Sequence, residues 1–214
     1  MKTLTELFQI CNNGNYTMVN DGAHEVDYKF LEEDDILYIF FEPSDGKIDW
    51  RVNFAYWRKP YKDMEISYRV HGGFLDSWKL VRDAIKEKVR APQWKRIVVV
   101  GYSHGAALAA LCHEFVWFER PDLRENGLVG YGFDGPRVYA GFIIKPQLKE
   151  RWRTFTMFRN WNDIVTHAPP VIFGFRHVGR VEKIHGPRYY NPGLVGAHYP
   201  DKILAGLKDY ENGV

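Results

Sequence analysis

Serine is scarce in this chain, with four residues among 214, and cysteine is scarcer still, with two. Cys11 and Cys112 are far apart in sequence, and neither belongs to a metal-like cluster. Nor can two cysteines supply the cross-linked framework of a small secreted domain. Two free thiols are expected, with a single disulfide as the alternative. Neither sign of charge dominates: 29 Lys and Arg face 27 Asp and Glu, for a net charge of +2. So mild a balance argues against a nucleic-acid or anionic-membrane binder. No segment approaches the roughly 18 apolar residues of a membrane span. Glu6 stands where a signal peptide would be apolar, so a cytoplasmic location is expected. Repeats, low-complexity tracts and linker-like stretches are missing too, and residues 1–214 are expected to form one domain.

What is present is a large apolar stock, 45% hydrophobic and 16% aromatic, enough for a sizeable core. One of the few serines lies in Gly101-Tyr102-Ser103-His104-Gly105. Upstream, Arg96-Ile97-Val98-Val99-Val100 has the β-branched composition of a strand covered on both faces. Downstream, Ala106 to Leu111 is rich in small helix formers. A serine at such a strand-to-helix turn is held in a strained backbone with its hydroxyl presented at the sheet edge. The amide that follows it can then point at a developing oxyanion.

The rest of the chain supplies a matching frame. Thr5 to Cys11 predicts a short helix, and Val26–Leu31 and Ile36–Phe41 predict two strands, the second continuously apolar like a central strand. Trp78, Val81, Ile85 and Val89 mark one face of a helix over Phe74–Val89. Leu128–Phe133 and Phe155–Phe158 predict further strands, and Phe175–Ile184 alternates around Gly179 like a hairpin. Ile203, Leu204, Leu207 and Tyr210 mark a closing helix with Pro200 in its first turn. Strands alternating with helices imply an α/β architecture, a mostly parallel sheet with helices on both faces.

A serine hydroxyl needs a base to take its proton, and histidine suits that role. In α/β hydrolases the order along the chain is serine, acid, histidine. Asp163 follows the strand ending near Phe158, with Asp134 as the rival acid. Of eight histidines, His198 lies just before the closing helix, with His167 as its competitor.

Four ordered segments then resemble the class 3 lipases, a family of α/β-hydrolase fold. They are Val70-His71-Gly72-Gly73-Phe74-Leu75, Gly101 to Leu108, Gly135-Pro136-Arg137-Val138, and Asp163-Ile164-Val165-Thr166-His167-Ala168-Pro169-Pro170. The resemblance implies a serine hydrolase that cleaves carboxylic esters through an acyl-enzyme, with Ser103 as nucleophile, Asp163 as acid and His198 as base. It favours Asp163 over Asp134 and demotes His167, although Ala197 stands where an acid often precedes the base. It implies an oxyanion hole from the amides of Ser44 and His104, with Glu42-Pro43 replacing the family's Arg-Gly before Ser44. The His104 imidazole is expected in solvent at the cleft rim.

Trp50, Phe54 and Trp57, at helical spacing, occupy the place of the family's lid helix, a spacing that plain core also uses. No metal or organic cofactor is implied. The expected partner is a small ester or lipid, with transient contact at lipid surfaces, no nucleic acid and no integral membrane segment. The chain lacks the long N-terminal extension of secreted relatives and has a short Asp163–His198 segment, so short- to medium-chain esters are expected. A degenerate hydrolase that only binds a lipid or a partner is the alternative.

Overall fold

The continuous apolar runs become the middle of a seven-stranded sheet in the computed structural model, which describes residues 2–42, 57–61, 67–161, 163–187 and 196–213. Strands β3 (Ile36–Phe41), β6 (Arg96–Tyr102), β7 (Leu128–Phe133), β9 (Phe155–Asn160) and β11 (Arg180–Ile184) lie side by side and parallel. β1 (Thr17–Asn20) and β2 (Glu25–Glu33) extend the β3 edge in antiparallel fashion. β1 has four residues, Thr17-Met18-Val19-Asn20, and is mostly exposed, which is why no alternating pattern betrays it in the sequence.

Alternate residues of each central strand enter different cores. Leu37, Ile39, Phe41, Ile97 and Val99 pack on one side with α2 (Gly72–Val89) and α3 (His104–Glu119). Tyr38, Phe40, Val98 and Val100 pack on the other side with α1 (Leu4–Cys11) and α5 (Pro200–Glu211). A strand buried on both faces has no polar position to spare, hence the unbroken runs of Ile, Val and Phe. The fold is that of an α/β hydrolase, a mostly parallel sheet with helices on both faces.

Helix boundaries follow local chemistry. Thr3 caps α1, accepting from the Glu6 amide while the Glu6 carboxylate accepts from the Thr3 amide. Trp78, Val81, Ile85 and Val89 form the buried stripe of α2, and the Trp78 indole donates to Tyr61 Oη at 3.1 Å. Burying a side chain of that class contributes roughly 1.5–3 kcal/mol. Every residue of α3 from His104 to Val116 is buried, so its alanines let it lie close against the sheet. Glu114 of this helix is ion-paired with Arg151 at the end of α4 (Pro146–Arg151), both inaccessible to water.

A smaller antiparallel sheet joins β10 (Phe175–Arg176), β8 (Tyr139–Ala140), β5 (Tyr68–His71) and β4 (Arg58–Tyr61). This corrects the expected hairpin over Phe175–Ile184. β10 belongs to the small sheet, whereas β11 pairs in parallel with β9 in the large one. Gly179 makes the crossing, with φ +72°, and a Cβ there would sit 2.2 Å from the Phe155 carbonyl oxygen. Alternation on either side of a glycine fits a hairpin and a sheet-to-sheet crossing equally well.

Cys11 and Cys112 are free, buried thiols on opposite faces of the large sheet, so they form no disulfide with each other. Burial raises both, Cys11 to about 12. Among the described residues no helix is long and apolar enough to cross a membrane.

Candidate active site

The parallel strands end together, with Tyr102 beside Phe133, Phe133 beside Phe158 and Asn160 beside Ile184. Ligands of open parallel sheets bind beyond these carboxyl ends. Ser103 follows β6 directly with φ 54° and ψ −123°, an unfavourable conformation for a residue with a Cβ. Its surroundings impose that strain. The Ser103 amide donates to Phe133 O at 2.9 Å while its carbonyl already accepts from Ala106. A Cβ on Gly101 would lie 2.1 Å from Gly105 O, and one on Gly105 would lie 2.3 Å from Phe41 O. Both glycines are therefore required for the helix to start this close to the strand.

The serine meets a histidine and an acid. His198 Nε2 lies 2.7 Å from Ser103 Oγ, and His198 Nδ1 lies 2.5 Å from Asp163 Oδ2. The other Asp163 oxygen accepts from the Val165 amide at 2.9 Å. Asp163 is 1% exposed, so fixed donors take the place of water around its carboxyl. A carboxylate on Nδ1 fixes the tautomer that leaves Nε2 free to accept the serine proton.

Sequence reasoning missed the residues that hold this arrangement. Tyr102, directly before the serine of the elbow, donates its hydroxyl to the His198 carbonyl and lays its ring 5.2 Å from the imidazole. Asn160 spans two loops, its Nδ2 donating to Ala197 O at 2.8 Å and its Oδ1 accepting from the Gly186 amide at 3.2 Å. Arg137 of the Pro-Arg-Val turn donates to the carbonyls of His167 and Pro169, and its amide donates to Ala168 O at 2.7 Å. The acid's loop is thereby tied to the turn after β7. The proline and arginine of that turn were legible as a motif, but what they grip was not.

The rival residues take other places. Asp134 is buried beside Asp163, with one of its oxygens within 4.8 Å of an Asp163 oxygen and of a His198 ring nitrogen. His167 faces Arg159, with Nε2 3.1 Å from the guanidinium, and burial with Arg159 and Arg137 lowers its pKa. His104 opens α3 at the positive end of the helix dipole, where an amide suits an oxyanion. Its imidazole corrects the expectation of a solvated rim. It is 3% exposed and its ring packs 5.5 Å from Phe74, because the first turn of α3 is enclosed on every side.

Ser44, Trp50 and Phe54 lie outside the described residues. Trp57 is described and sits outside any helix, directly before β4. Its ring is 5.8 Å from His71, and a Cβ on Gly72 would strike its indole at 1.7 Å. His71 in turn packs 4.3 Å from Phe74, so a row of rings runs from Trp57 to His104. Asp134, Asp163 and His198 could be mistaken for metal ligands. Both ring nitrogens of His198 are already engaged, by Asp163 and by Ser103, which leaves no lone pair for an ion.

A strained serine at a strand-to-helix elbow, hydrogen-bonded to a histidine and through it to a buried aspartate, is the arrangement that serine-type α/β hydrolases use. Residues 38–173 match the family described as lipase (class 3), and the chain belongs to that family. A lipase of Rhizomucor miehei is 31% identical over 152 residues, covering 67% of this chain and 40% of the relative. A secreted mono- and diacylglycerol lipase of Fusarium solani is 31% identical over 140 residues, covering 60% of this chain and 38% of the relative. Among solved structures, lipase II from Rhizopus niveus superposes with a TM-score of 0.65 at 25% identity, covering 78% of this chain and 65% of that one. The chain thus spans about two fifths of the length of the curated relatives it matches.

Proposed function

We propose that the protein is a serine ester hydrolase, a lipase or esterase, and that Ser103, His198 and Asp163 carry the reaction. The unbroken hydrogen-bond line from Asp163 Oδ2 through His198 to Ser103 Oγ, at 2.5 and 2.7 Å, is the observation that supports it. In this reading Ser103 Oγ attacks the ester carbonyl as His198 Nε2 takes its proton. Asp163 orients the imidazole and stabilises the charge that forms on it. The amides of His104 and Ser44 bind the tetrahedral oxyanion, the former helped by the dipole of α3. Collapse expels the alcohol, protonated by His198. Water activated at the same nitrogen then releases the acid and restores the serine.

The substrate we propose is a small ester or lipid of short to medium acyl chain, reached in part by transient contact with lipid surfaces. Exposed Phe142, Ile143 and Ile172, on loops joined by the Gly141 amide to Gly174 O at 2.7 Å, support such contact. The short stretch of chain from Asp163 to His198, 35 positions, supports the acyl preference. The intact hydrogen-bonded serine, histidine and acid disfavour the degenerate, binding-only reading.

Ser103→Ala tests the assignment. It should lower turnover of p-nitrophenyl esters by at least about 10³-fold and abolish fluorophosphonate labelling. Unchanged ester turnover would contradict it. The same esters in rising chain length test the substrate, and best rates on long, emulsified chains would overturn the proposed preference.

A further inference from the structure

Behind the triad lies a second carboxyl that the reaction above does not use. Asp134 follows β7, is 0% exposed, and takes a left-handed backbone conformation with φ +45°. Its amide donates to Phe158 O at 2.8 Å, and its Oδ1 accepts from the Asn160 amide at 2.5 Å. Its Oδ2 is equally buried and receives no hydrogen bond from any described donor. One oxygen of Asp134, one of Asp163 and a ring nitrogen of His198 lie within 4.8 Å of one another.

Two ionised carboxylates so placed have only acceptors to offer each other. Asp163 already receives Val165 N–H on one oxygen and meets His198 Nδ1 with the other, so both of its oxygens are engaged as acceptors. A proton on Asp134 relieves the conflict, because the orphaned oxygen becomes a donor whose natural acceptor is Asp163. We propose that Asp134 is a positioning residue of the site, a proton-bearing carboxyl that donates a hydrogen bond to Asp163 and fixes that carboxylate behind His198. This rests on the hydrolase reading given above.

The groups facing Asp134 agree on the direction. Burial first, and the Asp163 charge second, push its carboxyl well above the usual carboxylate range. The Asn160 amide and the Arg159 guanidinium pull the other way but lose. Tyr102, at the end of β6, is held neutral chiefly by burial, so it adds no charge. His198 completes the set and sees a single carboxylate charge while Asp134 stays protonated.

Asp134→Asn tests the idea, because its amide keeps a neutral donor and asparagine tolerates positive φ. Infrared difference spectra of the wild type at neutral pH should show a buried, protonated carboxyl that Asp134→Asn lacks. Glu114, the other buried carboxyl raised by burial among the described residues, is controlled for by Glu114→Gln. The NMR titration midpoint of His198 should be unchanged in Asp134→Asn, since no charge is removed. Ester kcat/KM should stay within about threefold, whereas Asp134→Leu, without a donor, should lose roughly tenfold or more in kcat. A wild type without the protonated band, or a His198 midpoint lowered by about one unit in Asp134→Asn, would overturn the proposal. The infrared and titration readings need no turnover. They decide the protonation of Asp134 even if the ester reaction proves wrong. If Asp134→Asn fails to fold, the wild-type band and its persistence in Glu114→Gln still decide.

Discussion

Asn160→Ala is the perturbation that most directly separates a held site from a merely assembled one. Asn160 is 1% exposed, and its side chain joins the turn after β11 to the loop that carries His198. Alanine deletes two hydrogen bonds and leaves the Gly186 N–H and the Ala197 carbonyl without that partner. A typical lost bond costs about 0.5–1.5 kcal/mol, and a buried group left unsatisfied about 1–3 kcal/mol. Taking both groups together, the expected loss of stability is about 3 kcal/mol. Gly186 cannot retreat to compensate, because a Cβ at that position would lie 2.4 Å from Lys202 O of α5, so the turn is already pressed on the helix. Urea denaturation should show a lower midpoint with an unchanged slope, since the same surface is exposed on unfolding. A second reading should appear in kinetics. With Ala197 O released, the loop that carries His198 loses one of its anchors while Tyr102 still holds the His198 carbonyl, and kcat should fall roughly 10- to 100-fold with little change in KM. A stability loss under about 1 kcal/mol together with wild-type kcat would refute the reasoning.

Two further outcomes follow from buried charge. Glu114→Ala leaves the Arg151 guanidinium buried without its carboxylate and should cost about 3–5 kcal/mol, whereas Glu114→Leu combined with Arg151→Met should recover most of that; equal losses in a urea series would contradict the pairing argument. His113, fully buried with Nε2 3.0 Å from Thr154 Oγ1, has its pKa lowered to about 3 by burial. Its unfolded-state pKa is near 6.5, so between these values the unfolded chain binds the extra proton and stability falls as pH falls. From pH 7 to pH 5 this single group should remove about 2 kcal/mol. His113→Gln should flatten the wild-type pH dependence by that amount, and parallel curves for the two proteins would show the reading to be wrong.

The central strands and the elbow were legible because burial on both faces leaves an unmistakable run of Ile and Val, and because the Gly101–Gly105 spacing answers a steric demand that only glycine meets. Asp163 and His198 were legible from order along the chain and from resemblance, and the structure brings both to Ser103. What stayed hidden was long-range. The partner strands of Phe175–Ile184 depend on contacts more than ten residues away, which no local alternation encodes. The parts played by Tyr102 and Asn160 went unseen, because a side chain's hydrogen-bond partner across 37 or 96 positions leaves no periodic trace. Asp134 was weighed as a rival acid, and sequence offered no means of seeing that two carboxyls would be buried together.

The two thiols, one in each layer, give the molecule a pair of internal clocks. Neither sulfur reaches a reagent while its layer is closed, and burial keeps both in the unreactive protonated form. Modification of Cys11 therefore times the parting of the terminal helices from the sheet, and modification of Cys112 times the lifting of the elbow helix. Equal rates would mean that the two sides open as one cooperative unit, and unequal rates would rank which side gives way first.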